Sequence, residues 1–291
     1  MTRLAFAVLF AFASTPALAQ APADTFETHA LKDRQETVEY FRTNPMSPLA
    51  AIERENVPHG GPVTIGSAKD NQVVLEGLEA HHLRVGIEGA GFRVQALDPK
   101  ATFLVKEEET REATLPPSAI GVGRYRVRLS YQNAPAVIVF DPAKPRTFEG
   151  PTYYAYDARY RFLVPLAKEA KQDTVLIEST AGQPRPSLRV GTFGLKLPGK
   201  AVKLAAYRLL EPGVSDEDLS LFFMDATNGK GSYHGGRYVD VQKQADGRYL
   251  VDLNLAYNPS CAYSPYYNCP IPPKENRLSA KIPAGESWRD E

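Results

Sequence analysis

Two stretches in the last third of the chain concentrate residue types for which a plain sheet core has no use. The first is Phe223-Met224-Asp225-Ala226-Thr227-Asn228-Gly229, continuing through Tyr233-His234-Gly235-Gly236-Arg237-Tyr238-Val239-Asp240. The second is Asn254-Leu255-Ala256-Tyr257-Asn258-Pro259-Ser260-Cys261-Ala262-Tyr263, running on through Cys269-Pro270-Ile271-Pro272-Pro273-Lys274-Glu275-Asn276-Arg277-Leu278. Asp225, Asp240 and Glu275 are carboxylates that can do acid–base work if brought together, and His234, the only histidine of the second half, is a candidate base. Arg237 and Arg277 lie close by and can instead pair with the carboxylates, the commoner outcome for such groupings. Five tyrosines between Tyr249 and Tyr267, with Asn258, Asn268 and Asn276, supply flat faces and amides suited to a small polar ligand. The competing reading is structural: five prolines from Pro259 to Pro273 fix an extended path, and the tyrosines cover the sheet beneath. Asp225, Thr227, Tyr233, Arg237, Asp240, Asn254, Tyr257, Asn258, Tyr263, Glu275 and Asn276 are thus expected to form either a ligand site or a buried polar network.

The familiar catalytic signatures are missing. There is no Gly-x-Ser-x-Gly elbow, no phosphate-cradling Gly-x-x-x-x-Gly-Lys and no His-Glu-x-x-His helix. Gly86-Ile87-Glu88-Gly89-Ala90-Gly91 is followed by no helical pattern and reads as a hairpin turn, not a nucleotide loop. No cofactor or metal is implied by any spacing. Cys261 and Cys269, eight positions apart, have no His or Cys neighbours to complete a zinc site and read as a disulfide.

That reading depends on compartment. Arg3, the apolar run Leu4 to Phe12 and Ala17-Leu18-Ala19 make residues 1–19 a secretory leader cleaved before Gln20, too short to span a membrane. No later segment is apolar enough to span, so a periplasmic or secreted chain is expected. Across the 291 residues, 34 Lys plus Arg balance 34 Asp plus Glu; a net charge of zero argues against nucleic-acid binding. A 43% hydrophobic share with 23% charged residues excludes wholesale disorder, and 24 prolines favour turns and strand ends over long helices.

The elements that must position these residues are mostly strands. Thr25 to Arg42 is the one strong helix, with Ala30, Leu31, Val38 and Phe41 near one face and Asn44-Pro45 as its stop. Leu31, Val38 and Phe41 are expected to bury against a sheet. From Pro58 onward short β-branched runs alternate with Gly60-Gly61, Asp70-Asn71 and Gly89-Ala90-Gly91 turns. Phe193, Leu195 and Leu197 alternate up to Pro198-Gly199, and Val202, Leu204 and Ala206 alternate away from it. Tyr249, Val251, Leu253 and Leu255 follow the Asp246-Gly247 turn, predicting a hairpin with Gly236–Gln242. The fold expected is mainly β: two sandwich or barrel-like modules preceded by one amphipathic helix. The divisions are a leader at 1–19, helix and linker at 20–57, one β module at 58–147 and a second at 148–291.

Ile65-Gly66, Asp70-Asn71, Leu75 and His82 give the first module a short resemblance to the forkhead-associated domain. In that family an arginine follows the glycine and a serine precedes the histidine by three places, together gripping a phosphothreonine. Here those places hold Ser67 and Glu79, and an acidic group repels phosphate, so a phosphothreonine peptide is not the expected partner. The run Tyr-Asn-Pro…Cys-Ala-Tyr…Cys-Pro…Pro-Pro…Glu-Asn-Arg-Leu, with the first stretch, closely resembles the domain-of-unknown-function family numbered 1684. The likeness extends to the N-terminal helix, the Ile65-Gly66 module and the Phe148-Glu149-Gly150 seam. It implies a bacterial, often exported, β-rich protein, and brings no reaction, substrate or catalytic residue. The function expected is therefore a non-catalytic exported protein binding a polar ligand or an envelope partner through its C-terminal loop. The alternatives are an acid–base hydrolase using Asp225, Asp240, Glu275 or His234, and a purely structural exported domain.

Overall fold

Residues 25–132 and 134–288 are described in a computed structural model; the leader read at 1–19 lies outside them. The described residues are mainly β with a single N-terminal α-helix, and no sheet among them closes into a barrel. A six-stranded sheet runs Ala51–Asn56, Ala134–Phe140, Tyr125–Gln132, Ser118–Val122, Phe103–Val105, Glu108–Thr110. It faces a five-stranded sheet of Val73–Val74, Val63–Gly66, Leu83–Glu88, Gly91–Ala96 and Glu112–Leu115. Alternate residues of the two, among them Ile65, Val85, Phe92, Val127, Leu129, Val137 and Val139, make the sandwich core. Around Asn71 and His82 the contacts are internal: Asn71 donates to Ala68 O and Ala80 O, and His82 Nε2 bonds Thr102 O at 2.9 Å. His82 is buried, consistent with packing and not ligand capture.

An eight-stranded antiparallel sheet follows, its main path Arg161–Val164, Tyr249–Asp252, Arg237–Lys243, Leu219–Phe223, Lys200–Leu209, Arg185–Leu197 and Ala167–Lys168. Thr174–Ile177 also pairs with Arg185–Leu197. Period-2 alternation splits its residues between two cores. Phe193, Leu195, Leu204, Leu221, Phe223, Val239 and Val251 pack beneath Ile282 and Ala284, whereas Ala205, Tyr207, Phe222 and Tyr238 face the other way. There they meet Ile138 and Phe140 from the back of the six-stranded sheet, with Tyr267 and Cys269 from the C-terminal loop. Ala134–Phe140 is consequently buried on both faces. A sheet covered on both sides loses its polar face, so the run Ala136 to Phe140 shows no alternation in sequence.

The helix occupies Thr25–Thr43, but its buried face differs from expectation. Ala30, Arg34 and Phe41 are buried and Val38 half-buried, whereas Leu31 is 45% exposed. Positions 30, 34, 37, 38 and 41 form the true stripe, and Leu31 sits just off it. Arg34 takes the central place because carbonyls are there to receive it: Nη1 donates to Tyr154 O (2.9 Å) and Nη2 to Asn254 O (3.2 Å).

Candidate functional site

The two distinctive stretches do meet, but they form three arrangements instead of one network. Strand parity separates them. Arg237 shares the face of Val239 and Val241 and points into the core, whereas Asp240 and Gln242 share the face of Tyr238 and point the other way.

In the core, Arg237 is fully buried and its Nη2 donates to Asp225 Oδ1 (2.9 Å) and Ile282 O (2.8 Å). Its Nη1 reaches Ala284 O and Glu286 O. Asp225 also accepts from Thr227 Oγ1 and from Ile282 N at 2.7 Å. Desolvation pulls the guanidinium below its ordinary pKa, opposed by the Asp225 charge. Every partner belongs to the protein, so Asp225, Thr227 and Arg237 are a lock that ties the 282–286 segment over the sheet. Gly236 makes the approach possible: its φ is +95°, and a Cβ there would lie 2.8 Å from Phe223 O.

On the opposite flank, Asn276 is also fully buried and acts as a strand substitute. Its Oδ1 accepts from Ala205 N (2.7 Å), and its Nδ2 donates to Ala205 O and Phe222 O (2.9 Å each). It stitches together two strands whose direct pairing is confined to Tyr207 and Ser220. Glu275 is exposed, with the Tyr207 hydroxyl at 2.5 Å and Arg189 at 3.7 Å. Desolvation pushes its carboxyl up, but the Tyr207 hydroxyl, backbone donors and Arg189 hold it below its ordinary value. Tyr233 and the exposed His234 sit at a turn, their rings 4.4 Å apart, with Trp288 5.1 Å from Tyr233. Of the four groups considered for acid–base work, Asp225 is consumed by the core, Glu275 lines a separate cavity of about 300 Å³ with Tyr207 and Arg277, His234 lies at its turn, and Asp240 alone reaches the cavity beneath the N-terminal helix.

That cavity, of about 400 Å³, lies between the N-terminal helix and the C-terminal half of the chain. Helical spacing brings Asp33, Thr37, Tyr40 and Phe41 to one wall. Strand parity brings Asp240 and Gln242 to a second. The short helical turns Leu253–Leu255 and Ser260–Ala262 carry Asn254, Tyr257, Asn258 and Tyr263 around a third. Tyr153 and Glu286 close it as directly opposed residues of the two-stranded ribbon Thr152–Tyr153 with Glu286–Ser287. Gly285, at φ +77° and pressed against Ala256 O, sets the bend that delivers Glu286.

Glu286 is the buried carboxylate of this cleft, and Oε2 accepts from Asn258 N (2.7 Å) and Tyr263 OH (2.8 Å). Burial pushes its pKa up to about 7, against the pull of those two donors and Arg237, and Asp33 raises it further. Asp33 is exposed at the rim, yet partial desolvation raises its carboxyl too. Asp240 accepts from Ser220 Oγ (2.9 Å) and Tyr257 OH (3.0 Å). Burial first, then the neighbouring carboxylates, drives the Tyr257 and Tyr263 hydroxyls well above their ordinary values, so both stay protonated donors. Asn258 is 4% exposed, and its Oδ1 has no hydrogen-bond partner. Asn254 is a brace behind the wall, bonded to Asp157 N and O and to Asp252. The Cys261–Cys269 disulfide pins the loop, and Cys269 pairs with Thr180 through N and O at 3.0 Å each. Asp33, Tyr153 and Glu286 were not foreseen from sequence: they come from three distant segments, and no local spacing links them. Among the described residues no cluster of His, Cys, Asp and Glu is arranged to hold a metal.

Comparison with known proteins bears on the half of the chain that builds most of this cleft. Residues 146–287 match the family described as Protein of unknown function (DUF1684). Over these residues the chain is similar to that family. The DUF1684 match begins at Arg146, so it does not extend to the helix or the Ile65-Gly66 module, as the sequence resemblance had suggested. Tyr153, Asp240, Tyr257, Asn258, Tyr263 and Glu286 all fall within the DUF1684 region, whereas Asp33 and the helix wall fall outside it. The chain is also similar to an uncharacterized protein of Haloarcula marismortui solved by solution NMR. Identity is 32% over 48% of this chain and 77% of that one, with a TM-score of 0.40. No curated protein matches the chain.

Proposed function

We propose that the protein is exported, losing its leader before Gln20, and binds a small polar ligand in the cleft beneath its N-terminal helix without transforming it. The carrying observation is the cavity itself. It falls in the size range of ligand sites, and it gathers aromatic faces and convergent polar groups from four separate segments. The disulfide fits an oxidising compartment, and among the described residues no helix is long and apolar enough to cross a membrane. Filling the cleft tests the reading. Ser260→Trp and Gln242→Trp each place an indole in it, at positions with little role in the core. Small-molecule libraries screened by thermal shift should contain compounds that stabilise the wild type and neither variant. Identical shifts in all three proteins, or none in any, would rule the cleft out as the site.

A second reading has its own observation. Glu286 keeps its proton to about pH 7 beside other carboxylates, which is how a general acid is poised. On that reading Glu286→Gln abolishes a hydrolysis that the wild type catalyses, whereas ligand binding alone survives the substitution.

A further inference from the structure

The three carboxylates of the cleft, Asp33 and Asp240 exposed and Glu286 buried, have no cation beside them in its lining. Three acids in other parts of the chain are neutralised by arginine: Asp225 by Arg237, Glu211 by Arg185 and Glu169 by Arg189. Asp33, Asp240 and Glu286 make no ion pair among the described residues, and no lysine, arginine or histidine among them lines the cavity. Asp240 is held by two hydroxyls and Glu286 by a hydroxyl and an amide, donors that orient a carboxylate without neutralising it. Asn258, in the same wall, adds a buried carbonyl-type oxygen that has no donor. Five aromatic rings share the lining with neutral polar and aliphatic side chains: Tyr40, Phe41, Tyr153, Tyr257 and Tyr263. Ring faces attract cations, and most strongly where water is partly excluded.

Resting on the reading of this cleft as a ligand site, we infer that its ligand is a small organic cation, an alkylammonium or quaternary ammonium compound. The ammonium group meets the exposed Asp240 carboxylate, its charge drives the buried Glu286 to release its proton to solvent, its alkyl carbons lie against the tyrosine rings, and Asp33 at the rim draws it in. An anionic ligand meets the unpaired Asp33 and Asp240 carboxylates and is repelled. A neutral polyol finds acceptors but leaves the charge uncompensated.

Isothermal titration calorimetry of the wild-type protein with choline and putrescine, in low-salt buffer at neutral pH, tests this. The controls are their neutral isosteres 3,3-dimethyl-1-butanol and 1,4-butanediol, and the anion succinate. At least one cation should bind saturably and its isostere should not. Asp240→Asn and Asp33→Asn remove exposed charges that the fold does not need; the former should weaken cation binding at least tenfold and the latter by less. Isosteres binding as well as the cations, or failure of both cations at tens of millimolar, overturns the inference. If neutral or anionic library compounds still stabilise the wild type and not Ser260→Trp, the cleft remains a ligand site and only the assignment of charge is lost. Cation binding unchanged in both Ser260→Trp and Asp240→Asn would place the cation elsewhere and defeat both readings.

Discussion

Removing the Arg237 guanidinium would leave Asp225 charged, sealed from water and short of its strongest donor. Breaking one side of a buried pair costs about 3–5 kcal/mol, so Arg237→Ala should lose that much in urea denaturation. Asp240→Asn, at an exposed position held by hydroxyls, should stay within about 0.5 kcal/mol of wild type. The contrast separates the lock from the cleft by stability alone. Glu286 gives a second residue-level prediction. The groups facing it are Tyr263 from the loop, Tyr153 across the ribbon, Tyr257, Asp33 on the helix and Arg237 beneath. Its carboxyl titrates at about 7 when folded, against 4.5 for the ordinary value. Between those values the folded state holds a proton that the unfolded state has released, so stability falls as pH rises. The contribution is full below about pH 4.5 and lost above about pH 7, at roughly 3 kcal/mol for the span. Denaturation measured across that window should show the decline, and Glu286→Gln, which keeps the neutral form at every pH, should flatten it.

Two elements hold the cleft's walls in place, one covalently and one through a buried charge. Closing the short loop from Cys261 to Cys269 is worth roughly 2–3 kcal/mol on the loop-entropy account. The double substitution to serine should cost about that and should also loosen Asn258 and Tyr263, read as faster amide exchange across 257–271. The helix is tethered differently. Arg34 donates to two carbonyls of the C-terminal half and stacks 4.9 Å from the Tyr153 ring, and Phe41 sits 4.6 Å from the ring of Tyr263. Arg34→Ala should cost about 2–4 kcal/mol through the loss of charge-assisted bonds and side-chain packing. Its effect on hydrogen exchange should concentrate in Thr25–Thr43 and leave the sandwich core protected. Loss of protection in both regions alike would show that the helix is not a separable wall.

At the scale of the molecule, one apolar layer couples the sandwich to the eight-stranded sheet. Ile138 and Phe140 on one side meet Tyr207, Phe222 and Tyr238 on the other, with the disulfide loop packed in the same cluster. Phe140→Ala should cost about 3–5 kcal/mol. It should shift far-ultraviolet circular dichroism and the fluorescence of Trp288, the single tryptophan, by the same amount in denaturant. Separate transitions for the two probes would mean that the layer does not couple the halves.

What the sequence determined by itself is the class of the fold and the strands whose two faces differ. Phe193, Leu195 and Leu197 read clearly because one side of that strand is core and the other is not, and the Pro198-Gly199 turn marks the reversal. The helix and its stop at Asn44-Pro45 were legible for the same reason, one face apolar and the ends signed by breakers. Ala134–Phe140 was not, because burial on both faces erases the period, and Arg34 was not, because a charged residue is buried only where distant carbonyls converge on it. Chemistry was legible as composition and not as grouping. Asp225, Arg237 and Asp240 lie on one hairpin-rich stretch, yet a single step of strand parity sends Arg237 into the core and Asp240 to the cleft. Glu286 carried no local signal: it matters because a ribbon of two residues sets it opposite Tyr153 and beneath a helix more than 240 positions earlier. Desolvation by those distant segments gives Glu286 its proton, and only the tertiary structure brings them together.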